Sequence, residues 1–122
     1  MEYYSEFNLT VETGTHAVGE IAQAIKTDTK CFWKIELREW FYNLDNYCLL
    51  EVKSYEPQMW YEFVEEMTNI SLCFPDAMFR INRRGEDQGD VEEVMFKNGQ
   101  MSRRIMIPTW SKWSVWYDSP YV

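Results

Sequence analysis

Apolar side chains recur along this chain first at every second residue, then at spacings of three and four, then at every second residue again, and the cycle runs twice before a final hairpin signal. A period of two buries one row of a strand and a period near 3.6 buries one stripe of a helix, so the order of periods dictates the order of elements. Residues 3–11 alternate, with Phe7, Leu9 and Val11 on one side and Glu6, Asn8 and Thr10 on the other, which predicts a half-buried strand. After Thr13-Gly14-Thr15, the recurrence of Val18, Ile21, Ala22 and Ile25 predicts a short amphipathic helix over 16–26, closed by Thr27-Asp28-Thr29. Cys31, Trp33, Ile35 and Leu37 alternate with Phe32, Lys34, Glu36 and Arg38 as a second strand running on towards Tyr42. Asn43-Leu44-Asp45-Asn46 is a turn cluster, and Cys48, Leu50 and Val52 form the inward row of the return strand.

The second cycle starts at Pro57, which the first turn of a helix tolerates because its missing N–H would have no partner there. Met59, Trp60, Phe63, Val64, Met67 and Ile70 predict a helix over 57–70 that buries Trp60, Phe63, Val64 and Met67. Ala77, Phe79 and Ile81 then mark a fourth strand, Gly85 to Asp90 a polar loop, and 91–97 and 101–107 two strands around the Asn98-Gly99 turn. The resulting order, β-α-β-β-α-β plus a hairpin, is that of the split βαβ, ferredoxin-like arrangement. The expected fold class is therefore α+β, an antiparallel sheet with two helices on one face and an extra C-terminal hairpin. Residues 1–108 form one domain and 109–122 an aromatic tail packed on it or extending it. With 17% aromatic residues, 122 residues suffice for a core without disulfide or metal support.

Chemistry is conspicuous by its missing parts. Cys31, Cys48 and Cys73 show no CxxC spacing and read as reduced, buried thiols, and His16 is the one histidine, so neither a zinc site nor a Cys–His nucleophile pair can be assembled. No phosphate-binding, dinucleotide, zinc-protease or nucleophile-elbow motif occurs. The adjacent acids Glu65-Glu66, Glu86-Asp87 and Glu92-Glu93 read as solvated surface charges, because neighbours along an element point in different directions. No catalytic residue, metal or cofactor is expected, and the protein is not expected to be an enzyme. No apolar stretch approaches the ~18–20 residues of a membrane span and no secretion signal precedes the first strand, so the expected location is a cytoplasm.

Trp60-Tyr61-Glu62-Phe63, Phe74-Pro75-Asp76, the loop Gly85-Glu86-Asp87-Gln88-Gly89-Asp90 and Phe96-Lys97-Asn98-Gly99-Gln100 resemble the YubB-type ferredoxin-like domains of phages and plasmids. The resemblance covers the C-terminal half, the N-terminal half agreeing in element order. It implies a fold and a mobile-element origin, with the host cytoplasm as the place of action, and it transfers no catalytic residue. The Trp-rich end, Trp110 to Tyr121, departs from the family pattern.

Charge gives the remaining direction. The chain carries 20 acids against 12 bases, a net −8, and the excess lies before residue 77. Glu62, Glu65 and Glu66 sit off the apolar stripe of the second helix, Glu20, Glu36 and Glu39 extend the same polarity, and Glu86, Asp87 and Asp90 crowd one loop. Such a surface can imitate nucleic-acid phosphates and occupy a basic groove, or it can simply solubilise. Arg80, Arg83, Arg84, Arg103 and Arg104 are expected to pair across strands with Glu86, Glu92 and Glu93, with Arg103 and Arg104 on opposite faces. In the tail, Trp113, Val115 and Tyr117 fall on one side of a further strand, and Trp113 and Trp116 are candidate interface anchors. The expected function is a phage or mobile-element protein that binds and inhibits a host defence protein, of anti-CRISPR or antirestriction type. Its partner is a host protein with a basic nucleic-acid-binding surface, and duplex DNA itself is not bound. The alternative is an oligomeric sheet module, a homodimer through the open face among its forms, binding a small ligand or single-stranded nucleic acid there. The open row includes Phe32 and Trp40.

Overall fold

In the computed structural model, residues 2–14, 18–34, 40–42, 47–106 and 110–122 are described. They form β1 (Ser5–Gly14), α1 (Val18–Asp28), β2 (Trp33–Lys34), β3 (Trp40–Tyr42), β4 (Tyr47–Ser54), α2 (Phe63–Cys73), β5 (Met78–Gly85), β6 (Val91–Lys97), β7 (Gln100–Ile105) and β8 (Tyr117–Asp118). His16, residues 35–39 of the expected second strand, with Glu36 and Glu39, and the 43–46 turn lie outside the described residues. The strands make an open antiparallel sheet of order β2-β4-β1-β5-β6-β7-β8, with β3 also paired to β4. The protein is thus α+β, with the first strand of the chain in the interior of the sheet.

The alternation that predicts β1 is the one that buries it: Phe7, Leu9 and Val11 are in the core, and their cross-strand partners Val52, Leu50, Ile81 and Phe79 join them. Ile21 and Ile25 of α1 and Phe63, Met67 and Ile70 of α2 complete the same cluster. Asn98 (φ 48°) and Gly99 (φ 79°) both take the left-handed conformation that a two-residue I′ hairpin demands, and Lys97 pairs with Gln100 across the turn. A side chain at position 99 would also collide with Leu72 and Val122, so glycine is required there twice over.

Two expectations fail in instructive ways. The helix starts at Phe63 and ends at Cys73, where 57–70 is expected. Gln58 instead exchanges both backbone hydrogen bonds with Ser5 (2.9 and 2.7 Å), which removes the carbonyl and the amide that a first helical turn would use. Trp60 is buried all the same, ahead of the helix: its ring meets Phe7, Trp33 and Phe63 at 5.1, 5.4 and 5.9 Å, and its indole N–H donates to Glu66 at 2.6 Å. Cys31 is buried as expected and burial pushes its thiol up to about 12, whereas Cys73, at the last turn of α2, is exposed. Among the described residues no helix is long and apolar enough to cross a bilayer.

Candidate functional site

Where β1 begins, three separate stretches of chain are sewn together. Ser5 pairs with Gln58 on one side and Gly85 on the other. The Tyr3 amide donates to the Tyr61 hydroxyl at 2.8 Å, the Tyr3 hydroxyl donates to Asp90, and the Asp87 amide donates to the Tyr3 hydroxyl at 3.1 Å. Gly85 lies beneath this contact, and any β-carbon there would overlap the Tyr3 ring and the Asp90 carboxylate. The Tyr4 amide donates to Glu86 at 2.9 Å and its hydroxyl to Glu2 at 3.0 Å. Tyr3, Tyr4 and Tyr61 thereby gather Glu2, Glu86, Asp87 and Asp90 at one end of the sheet.

The six acids singled out in the sequence divide by what holds them. Asp90 grips Arg83 with both oxygens (2.6 and 3.0 Å) and lies below the usual carboxylate range, chiefly because of that guanidinium and also because of the Tyr3 hydroxyl. Burial opposes the charge of Arg83, but its hydrogen bonds to Asp90 and Glu92 outweigh that and hold it firmly protonated. Glu66 accepts from the Trp60 indole and from the Lys30 amide at 2.7 Å. Glu62 pairs with the Lys30 amine at 3.1 Å, which lowers its pKa. Glu65, Glu86 and Asp87 are exposed. Asp90 and Glu66 are therefore architectural, and the solvent-exposed acids are Glu65, Glu86 and Asp87, with Glu2 added to them; of these, Glu86 and Glu2 also accept hydrogen bonds from Tyr4.

Glu92 and Glu93 are not solvated: both are buried. Glu92 receives Arg83 Nε at 2.7 Å and Arg103 through Nε at 2.7 Å and Nη2, while Glu93 receives Arg104 Nη2 at 2.8 Å and Arg80 Nε at 4.0 Å. Adjacent along β6, they point to opposite faces, and each is compensated by arginines from the strands on either side. The expected cross-strand pairing of the arginines holds for Arg80, Arg83, Arg103 and Arg104, and Arg103 and Arg104 do serve opposite faces.

The tail lies along β7. Tyr117 and Asp118 pair with β7 as a strand, and Trp110 forms an isolated bridge with Met106; between them Ser114 bonds to Ser102 and to Arg103 through its side chain as well as its backbone, and the alternation of Trp113 with Val115 is lost. Val115 is 85% exposed, whereas Trp113 and Trp110 are half-buried with the Arg104 guanidinium 4.6 and 4.4 Å from their rings. Trp116 remains exposed. Further along, the Ser119 and Thr68 hydroxyls bond at 2.6 Å in a buried contact with α2.

A groove of about 580 Å³ that sequence reasoning missed is lined by Lys26, Cys31, Phe32, Trp33, Tyr55, Glu56 and Gln58. The Tyr55 amide donates to the Phe32 carbonyl at 2.9 Å, continuing the β2–β4 register and setting the two residues opposite each other. Their side chains are 74% and 70% exposed, and Tyr61 nearby in sequence is 61% exposed. The available signal was that Phe32 and Tyr55 fall on the polar side of their strands' alternation. Among the described residues no three of His, Cys, Asp and Glu are placed to hold a metal ion. Comparison with protein-family models, with curated proteins and with solved structures finds no match for the chain.

Proposed function

We propose that this is a non-enzymatic, ferredoxin-like protein of phage or plasmid type that binds and inhibits a host defence protein through its acidic, tyrosine-rich end. The strand order β2-β4-β1-β5, with α1 and α2 on the two crossovers, supports a split βαβ core with both helices on one face. The observation that carries the functional reading is the hydrogen-bonded cluster at the start of β1, in which Tyr4 bonds to Glu2 and Glu86, Tyr3 bonds to the Asp87 amide, and Tyr61 accepts from the Tyr3 amide. Tyrosine supplies contact area at low entropic cost, and carboxylates around it favour a basic, nucleic-acid-handling surface. The rival, an oligomeric sheet module, would use the open face, where Trp110 and Trp113 already cover Arg104.

The test is kinetic. A partner captured from host lysate should associate more slowly with Glu65→Lys, Glu86→Lys and Asp87→Lys variants, with a flatter salt dependence, while Tyr61→Ala and Trp116→Ala should speed dissociation. Reversal of Glu66 or Asp90 would also break an internal clamp, so those two are left out. Affinity indifferent to salt and to all three reversals refutes nucleic-acid mimicry.

A further inference from the structure

We propose that the groove between the end of α1 and the turn after β4 receives an arginine side chain of a basic partner segment, stacked on Phe32 and Tyr55 and paired with Glu56. The inference rests on the reading of the partner as basic and adds the place where it is anchored. Two aromatic side chains set opposite each other and more than two-thirds exposed form a hydrophobic patch of the kind that marks interaction sites, and Trp33 and Glu56 line the same concavity. The protein already performs this chemistry internally. Arg104 lies against Trp110 and Trp113, at 4.4 and 4.6 Å, and its end bonds to Glu93 at 2.8 Å. The groove repeats that set of groups, aromatic faces with one carboxylate, in a chain of net charge −8. Arginine fits better than lysine, because a planar guanidinium stacks and bonds a carboxylate in the same pose, whereas a compact ammonium is more strongly hydrated. Lys26 lines the groove too and opposes a cation, which gives the proposal a sign: Lys26→Glu should tighten binding and Glu56→Lys should weaken it.

The probe is a capped twelve-residue peptide of alternating arginine and glycine, titrated into the full chain at low salt and followed by NMR and by tryptophan fluorescence. A lysine–glycine peptide of equal charge serves as the control. The expected result is binding of the arginine peptide with shifts at Phe32, Trp33 and Tyr55, at least fivefold tighter than the lysine peptide. Binding should weaken at least tenfold in Phe32→Ala/Tyr55→Ala and strengthen in Lys26→Glu. Both aromatic side chains are exposed, so the double variant should fold, which an unchanged melting transition would verify. Binding that survives the double variant but is lost in Glu86→Lys/Asp87→Lys overturns the groove while leaving the basic-partner reading in place. No binding of either peptide overturns both.

Discussion

Replacing Glu92 by Gln tests whether the charged layer of β6 belongs to the fold or decorates it. The Glu92 side chain is 5% exposed and lies between Arg83, 15% exposed, and Arg103, 46% exposed. Removing one member of a buried ion pair typically costs about 3–5 kcal/mol, because the partner is left charged in a poorly solvated place. Here Arg103 can turn into water and Arg83 keeps the two-pronged grip of Asp90, so the lower end, about 3 kcal/mol, is expected. With a urea m-value of about 1.5 kcal/mol per M, the midpoint of unfolding should fall by about 2 M without a change in slope. The double variant Glu92→Gln/Asp90→Asn should lose more than the two single losses combined, since Arg83 then has no anion at all. Arg83→Met/Glu92→Leu should recover part of the single loss, because the two buried charges go together and the partners they leave, Asp90 and Arg103, both reach solvent. A loss below about 1 kcal/mol in Glu92→Gln would show the pair to be worth no more than a surface contact and would refute the argument.

Phe63→Ala should cost about 3–5 kcal/mol by chemical denaturation, since the ring is buried against Phe7 and Trp60. Arg83 lowers Asp90 in the folded state, so the contribution of this carboxylate is complete above the unfolded value of about 3.9 and is lost as pH falls through the lower folded value; acid titrations of wild type and Asp90→Asn should converge at low pH. Trp113→Ala should raise amide exchange along residues 110–118 with β5 and β6 still protected, whereas Trp116→Ala should shift stability by less than about 0.5 kcal/mol. Anisotropy titrations should find no submicromolar binding of duplex DNA at about 150 mM salt, because a net −8 repels phosphate.

What was legible in the sequence was what is local. Phe7, Leu9 and Val11, the Asn98-Gly99 turn and the Phe63/Met67/Ile70 stripe announce their places because period and turn chemistry act over a few residues. The start of α2 was not, because Gln58 is claimed by Ser5, more than fifty residues away, and no local rule weighs that bond against a helical turn. Glu92 and Glu93 misled for the same reason: acids are rarely buried, and the arginines that make burial tolerable arrive from β5 and β7. Which acids of the candidate site are exposed and which are clamped depends on distant partners: Tyr3, whose bonds reach 58 and 87 residues along the chain, ties down Asp90, and Lys30 holds Glu62 and Glu66. The groove was invisible because Phe32 and Tyr55 meet only through the pairing of β2 with β4.

The position of β1 also governs how the chain reaches this state. Made ahead of the other strands of this sheet, it has neither of its partners until β4 has left the ribosome, and its second edge stays open until β5 follows. Both ladders close long loops, so the entropy of closure falls due before most of the contacts that repay it, and folding belongs with the slower, high-contact-order domains. Through that interval Phe7, Leu9 and Val11 lie on an unpaired strand with two free edges, the arrangement most prone to adding a foreign strand. Alternating with them, Glu6 and Glu12 put like charges on every copy, so two nascent chains that align their first strands repel each other before either has found its own β4.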